Sequence, residues 1–174
     1  GKIPGGEFAV IGLGKLGGRE MTVESDLDLM FVYDAPGGDS GGPRPLTPGL
    51  YYTRLSQRLI SAITAPTGEG KLFEVDMRLR PSGNAGPIAN SLEGFLKYQR
   101  GNAWTWEHLA LTRARVIASE HGLARRIETA IHDVLTRDRD AEKLVADVAD
   151  MRGRIAREHR SDDQWTIKHY RGGL

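Results

Sequence analysis

Cysteine is absent from the 174-residue chain. That excludes disulfides, zinc thiolate sites and cysteine nucleophiles, and it fits a reducing compartment, with the cytoplasm as the expected location. Long apolar runs are missing too: none approaches the ~20 residues that cross a bilayer, so no membrane partner is expected. There is no excess of one charge. Lys plus Arg number 24 against 23 Asp plus Glu, for a net charge of +1, and the balance holds on both sides of Gly101, 11 against 11 before it and 13 against 12 from there on. No basic tail is hidden in the average, so no nucleic-acid partner is expected. The start, Gly1-Lys2-Ile3-Pro4, is neither an initiator methionine nor a signal peptide. Trp165 to Tyr170 reads as a strand, after which Arg171-Gly-Gly-Leu174 stops without a cap. Both ends therefore lead one to expect a piece of a longer protein.

What is present reads as one globular domain with alternating strands and helices. Glu7 to Gly12 is short, apolar and β-branched, and breaks at Gly14, Gly17 and Gly18, as a buried strand entering a tight turn would. Asp26 to Tyr33 begins with alternating polar and apolar residues and ends in continuous apolar ones, a strand with one exposed mouth. Asp34 to Gly49 holds five glycines and four prolines in sixteen residues, which predicts a mobile flap. Leu55, Leu59 and Ile63 give one apolar face to a helix from Leu50 to Ala65. Lys71 to Arg80 alternates so that a strand would put Glu74, Asp76, Arg78 and Arg80 on one face, with Phe73, Val75, Met77 and Leu79 toward the core. Ser91 opens a helix through about Arg100. Further helices are predicted at Trp104 to Ser119, His121 to Thr136 and Asp140 to Glu158.

Asp26 and Asp28 carry the most suggestive chemistry. On an extended strand two residues apart, both carboxylates leave the same face, about 7 Å apart at the backbone. Such a pair repels itself, and a bound divalent cation relieves the repulsion while keeping sites for water and phosphate oxygens. The same spacing also occurs on solvated loops. Asp76 on another strand would supply a third carboxylate, as a two-cation site requires, or else pair with Arg78 or Arg80 in a surface ion network. Gly14-Lys-Leu-Gly-Gly18 could bring backbone N–H groups to a polyphosphate or be a plain turn. It is neither a Walker loop nor a dinucleotide fingerprint. Trp104 and Trp106 are expected to anchor the core rather than stack on a base, with Glu107 and His108 structural beside them. His108, His121, His132, His159 and His169 show no paired metal spacing.

Leu16-Gly17-Gly18, Asp26, Asp28 and Asp76 together resemble the nucleotidyltransferase superfamily of polymerase-β type. Within it, Gly12-Leu-Gly-Lys-Leu-Gly-Gly-Arg-Glu20, Ser25-Asp-Leu-Asp-Leu29, Glu74-Val-Asp-Met-Arg-Leu-Arg-Pro-Ser-Gly83 and Ala103-Trp-Thr-Trp-Glu-His-Leu-Ala-Leu-Thr-Arg-Ala-Arg115 are similar to the glutamine synthetase adenylyltransferase family, and Gly14-x11-Asp26-x-Asp28 matches that family's motif. The resemblance covers Phe8 to Val116 and resumes at Ile167 to Leu174. It implies an α+β fold, a small mixed sheet with helices packed on it, in which residues 1–118 form the catalytic core and 119–174 begin a helical extension. It further implies a reaction, the transfer of AMP from ATP to a tyrosine of glutamine synthetase, with Asp26, Asp28 and Asp76 holding Mg²⁺ or Mn²⁺. Gly14, Lys15, Gly17, Gly18, Ser25, Arg78 and Arg80 are then the candidates for contact with the nucleotide, and a PII-type signal protein is the implied regulator. The Ala103 to His108 and Arg80 to Gly83 blocks look more like the family's adenylylating domain than its phosphorolytic, adenylyl-removing one. The alternatives are that removing activity on the same metals, or an inactive fragment that binds nucleotide or a regulator.

Overall fold

The computed structural model describes residues 1–120 and 122–158; the strand expected from Trp165 to Tyr170, together with His121, His159 and His169, lies outside them. The chain divides into two compact units, Gly1–Thr136 and Arg137–Leu174.

The first unit is built on a mixed sheet. Strands β1 (Glu7–Gly12) and β2 (Leu27–Asp34) pair antiparallel, with Gly12 opposite Leu29 and Glu7 opposite Asp34. The free edge of β1 takes β5 (Arg115–Ser119), also antiparallel. The free edge of β2 is shared by two short parallel strands, β3 (Val75–Asp76) at its beginning and β4 (Ala89–Ser91) further along. The central strands are apolar on both faces because both are covered. Ala9, Ile11, Met30 and Val32 point into one cluster with Phe95 of α3 (Leu92–Gly101), Leu111 of α4 (Thr105–Leu111) and Leu123, Ile127, Ile131 and Val134 of α5 (Leu123–Thr136). Val10, Leu29 and Phe31 point the other way, onto Tyr52 of α2 (Pro48–Ile63). The result is the α+β arrangement that the sequence implied.

Local chemistry explains several helix starts. Pro48 opens α2, where its missing N–H costs nothing, and the Ser91 hydroxyl accepts the Gly94 N–H at 3.1 Å at the start of α3. The segment predicted as a flap begins with the last residue of β2 and ends in the first turn of α2, and residues 35–47 between them form no strand or helix; they close through Ser40, whose N–H donates to the Leu46 carbonyl and whose hydroxyl accepts the Leu46 N–H. In the second unit, α6 (Ala141–Glu158) is opened by the Asp140 carboxylate, which accepts the Lys143 N–H. Pairs one turn apart, Lys143 with Asp147 and Asp150 with Arg154, line its surface.

Three expectations need correction. The helix predicted from Trp104 to Ser119 stops at Leu111; Thr112 to Ala114 turn, and Arg115 to Ser119 become β5. The β-branched pair Val116-Ile117 suits a pleat, and the open edge of β1 decides the matter. The strand predicted from Lys71 to Arg80 shrinks to two residues. Asp76 takes the Arg78 N–H on its own carboxylate at 2.8 Å, which turns the chain out of the ladder, and Arg80 ends buried rather than on a charged face. Finally, Trp104 and Trp106 are 69% and 42% exposed. The inner face of α4 is taken by Glu107, His108 and Leu111, so the two indoles do not anchor the core.

Helix α5, although it falls in the stretch read as an extension, supplies four side chains to the first cluster. Replacing Ile127 with alanine is therefore expected to cost about 3 kcal/mol of unfolding free energy, measured by urea denaturation; a loss below about 1 kcal/mol would mean that α5 does not close this core.

Candidate active site

The register between β2 and β3 places the key carboxylates. Leu27 pairs with Val75 and Asp28 with Asp76 in parallel, and directly opposed residues of parallel strands project from the same face, with backbones about 4.8 Å apart. Asp26, expected to begin the strand, lies one residue before β2 and is exposed; its charge, like that of Asp28, acts on Arg78. The Leu27 N–H donates to the Glu74 carbonyl at 2.8 Å, which pins this register.

Beside these residues the chain turns through α1 (Gly14–Gly18). The Leu13 N–H donates to the Asp28 carbonyl at 2.9 Å, so the turn is tied to the carboxylate strand at its entry. Gly14 has φ +48°, and a Cβ there would collide with the Asp28 carboxylate. Backbone conformation and space both demand glycine, and the vacant volume is where Asp28 sits. Gly17 is buried, and a Cβ on it would run into the Arg113 carbonyl. Its N–H already donates to Leu13 at 2.8 Å, so its part is close packing. Arg115 reaches from β5 to cap the far end of α1, donating to the carbonyls of Gly17 and Leu16 at 3.1 and 2.8 Å. Arg113 packs beside Gly18 and pairs with Glu20. Composition and periodicity gave no sign of these two arginines; the signal was their presence in the Leu-Thr-Arg-Ala-Arg block.

Ser25 is buried and spends its hydroxyl on Thr22, accepting the Thr22 N–H at 2.9 Å. Lys15 is exposed on α1. Arg80 is 8% exposed and donates to the Met77 carbonyl at 2.7 Å and to that of Gly86 at 3.5 Å, which braces the Pro81 to Pro87 loop. Glu107 accepts the Tyr98 hydroxyl and the Trp104 N–H, while a His108 ring nitrogen meets the Gln99 carbonyl at 3.0 Å; both are structural.

Arg78 dominates the electrostatics. Its Nε donates to Asp76 Oδ2 at 2.7 Å and its backbone N–H to Oδ1 at 2.8 Å, so both carboxylate oxygens are engaged. Arg78 holds the Asp76 carboxyl below the usual carboxylate range, against a smaller upward push from burial. Asp76 in turn raises the Arg78 guanidinium pKa, and the charges of Asp28 and Asp26 add to the effect. Arg78 thus sits in the field of all three carboxylates, and the buried Arg80 adds its charge at Asp76.

Among the described residues, no three acidic or histidine side chains are already gathered closely enough to hold a metal ion. The donor set nevertheless fits a hard divalent cation. It offers carboxylate oxygens on one face, a glycine-made recess for Asp28, and a guanidinium as a stand-in cation on Asp76. A cavity of about 670 Å³ opens at the opposite end of the strands, beside Glu7, Phe8 and Tyr52, and none of the residues expected at the site line it.

The family model for glutamate-ammonia ligase adenylyltransferase matches residues 2–130. Similar curated proteins are the bifunctional glutamine synthetase adenylyltransferase/adenylyl-removing enzymes of Mesorhizobium japonicum and Brucella suis, each 52% identical over 176 aligned positions, and of Rhizobium meliloti, 51% identical. Each match covers 100% of this chain, which spans 18% of the length of those proteins.

The Asp76–Arg78 pair makes a prediction about pH. With its pKa lowered in the folded chain, Asp76 contributes stability that is present above its unfolded value of roughly 3.9 and lost as pH falls through the folded value. Without metal, Asp76→Asn should lower the urea midpoint at neutral pH, and the gap to the parent should close on acidification below roughly 3.9. A gap that stays constant with pH would contradict this.

Proposed function

The chain belongs to the glutamate-ammonia ligase adenylyltransferase family, and from that premise we propose that it carries a nucleotidyl-transfer centre that moves AMP from ATP to a tyrosine hydroxyl of glutamine synthetase. The phenolic oxygen bonds to the α-phosphorus, the bond from that phosphorus to the β-bridging oxygen breaks, and pyrophosphate leaves. The observation that carries the reading is the parallel pairing of Asp28 with Asp76, with the charge of Asp26 reaching the same Arg78 guanidinium.

In this reading Asp26, Asp28 and Asp76 hold Mg²⁺ or Mn²⁺. When bound, the cation supplies charge neutralisation on the phosphates and makes the phenolic proton easier to lose. The chain's own groups do the rest. Gly14 keeps the Asp28 carboxylate in place, and Arg115 fixes α1 so that Lys15 stands ready for the triphosphate. Gly18, at the exposed end of α1, lets the nucleotide approach the backbone, and Ser25 stiffens the turn into Asp26. Asp76 orients the tyrosine hydroxyl and accepts its proton. Arg80 keeps the loop after β3 in position from beneath.

Glutamine synthetase as substrate accords with the printed names of the relatives, and a PII-type protein is the regulator this reading carries over from the resemblance. A cytoplasmic setting accords with the cysteine-free sequence, and among the described residues no helix is long and apolar enough to cross a membrane. The printed names of the relatives also carry an adenylyl-removing activity. The second reading is therefore phosphorolysis at the same carboxylates, with phosphate attacking the phosphorus of the tyrosyl-AMP bond and ADP leaving.

The full chain incubated with glutamine synthetase, Mg²⁺ and α-labelled ATP should transfer label to the synthetase, and Asp26→Asn or Asp28→Asn should each cut the rate by about a hundredfold or more. Release of ADP from adenylylated synthetase and phosphate, without label transfer, would assign the removing activity instead. Metal-dependent ATP binding with neither reaction would leave a nucleotide-binding piece.

A further inference from the structure

Arg78 is at once exposed and closely engaged. Its side chain is 74% exposed whereas that of Asp76 is 16% exposed, and its guanidinium reaches Asp76 Oδ2 to 2.5 Å. The residue stands two positions past Asp76, on the turn that leaves β3. The pairing therefore needs no distant anchor, and the side chain can leave Asp76 without disturbing the core. The neighbouring Arg80 cannot substitute for it, because its guanidinium is buried and spent on the carbonyls of Met77 and Gly86. Asp28 and Asp26 add their negative charge around Arg78.

Three carboxylates so placed repel one another unless a cation is present. In the metal-free chain the exposed cation is Arg78, whose guanidinium holds the Asp76 Oδ2 that a metal would need, while Oδ1 takes the Arg78 backbone N–H and Arg80 adds its charge from a buried position. A divalent cation arriving alone must expel the guanidinium and then stand beside it, with like charges close together. Arriving with a triphosphate, it brings phosphate oxygens that the displaced guanidinium can take up as charge-assisted hydrogen bonds.

We propose that Arg78 is an exchangeable counter-ion: it holds Asp76 while the site is empty, and moves to the nucleotide phosphates when metal and ATP enter together. This inference rests on the metal-binding role given to Asp26, Asp28 and Asp76 above. Its consequence is a coupling between two ligands. Metal alone binds weakly, metal and nucleotide favour each other, and Arg78 carries the difference. Arg78 is in this sense a positioning residue whose removal moves two affinities in opposite directions, which loss of a merely structural ion pair would not do.

The test is Mn²⁺ binding to the full chain, followed by electron paramagnetic resonance of free Mn²⁺, with and without a non-hydrolysable ATP analogue. Arg78→Gln should bind Mn²⁺ alone roughly fivefold tighter than the parent, since a positive charge beside the metal is gone. It should bind the Mn²⁺–analogue complex about tenfold weaker, since a charge-assisted phosphate contact is lost. Its melting temperature should accordingly rise more on adding Mn²⁺ alone than the parent's does. Unchanged or weaker Mn²⁺ binding in the variant, or unchanged analogue binding, overturns the inference while leaving the metal role intact. A parent chain that binds no Mn²⁺, or one whose binding survives Asp28→Asn, overturns the metal role and the counter-ion with it.

Discussion

Two residues of parallel ladder, Leu27-Asp28 against Val75-Asp76, carry the proposed site. A slip of one residue along that ladder would turn Asp76 to the opposite face from Asp28, and no other feature of the sheet could restore the juxtaposition. The fold guards this register at several points. The Leu27 N–H is tied to Glu74, the Asp28 carbonyl to Leu13, and the apolar residues after Asp28 are buried on both faces of the sheet. Just past Asp76 the chain is turned away by the aspartate's own side chain. The strand is therefore short for a reason: it is long enough to align two carboxylates and then leaves.

The glycine turn beside this ladder is often thought of in terms of backbone freedom, yet here the demands are more specific. Gly14 is required because Asp28 occupies the space of its side chain, and Gly17 because the carbonyl of Arg113 does. Arg113 and Arg115 then close the arrangement from the opposite edge of the sheet, one packed against Gly18 and the other capping the carbonyls of Leu16 and Gly17. The result is a rigid join of α1, β1, β2 and β5 around the carboxylate end, whereas the charged side chains that would meet a nucleotide, Lys15 and Arg78, remain exposed. Closely packed backbone with exposed cations at its rim suits the nucleotide site proposed above.

Much of this was legible in the sequence where a single element determines its own burial. The apolar runs of β1 and β2, the four-residue apolar spacing of α2 and α5, and Ser91 before α3 all emerged with bounds close to those observed. Legibility failed where a distant partner decides. Arg115 to Ser119 follow a run of good helix formers and become a strand because β1 offers an edge. Lys71 to Arg80 alternate like a long strand, but the Asp76 side chain intercepts the ladder, and Arg80 goes inward to bind carbonyls that alternation alone could not reveal. Trp104 looked like core by size, yet the buried Glu107 takes the Trp104 amide while its ring stays outside. At the site, the Asp-x-Asp spacing of Asp26 and Asp28 was visible in the chain. The reasons for Gly14 and Gly17 were not, since both lie in contacts with residues far along the sequence.

The central claim is that Asp26, Asp28 and Asp76 form one cation-binding face. It is tested most directly by a crystal structure of the chain soaked with Mn²⁺ and a non-hydrolysable ATP analogue, using anomalous scattering to locate the metal. A manganese peak is expected about 2 to 2.3 Å from carboxylate oxygens of Asp28 and Asp76, with Asp26 completing the set and phosphate oxygens on the remaining positions. Manganese bound elsewhere, with Asp76 still closed on Arg78, would contradict it.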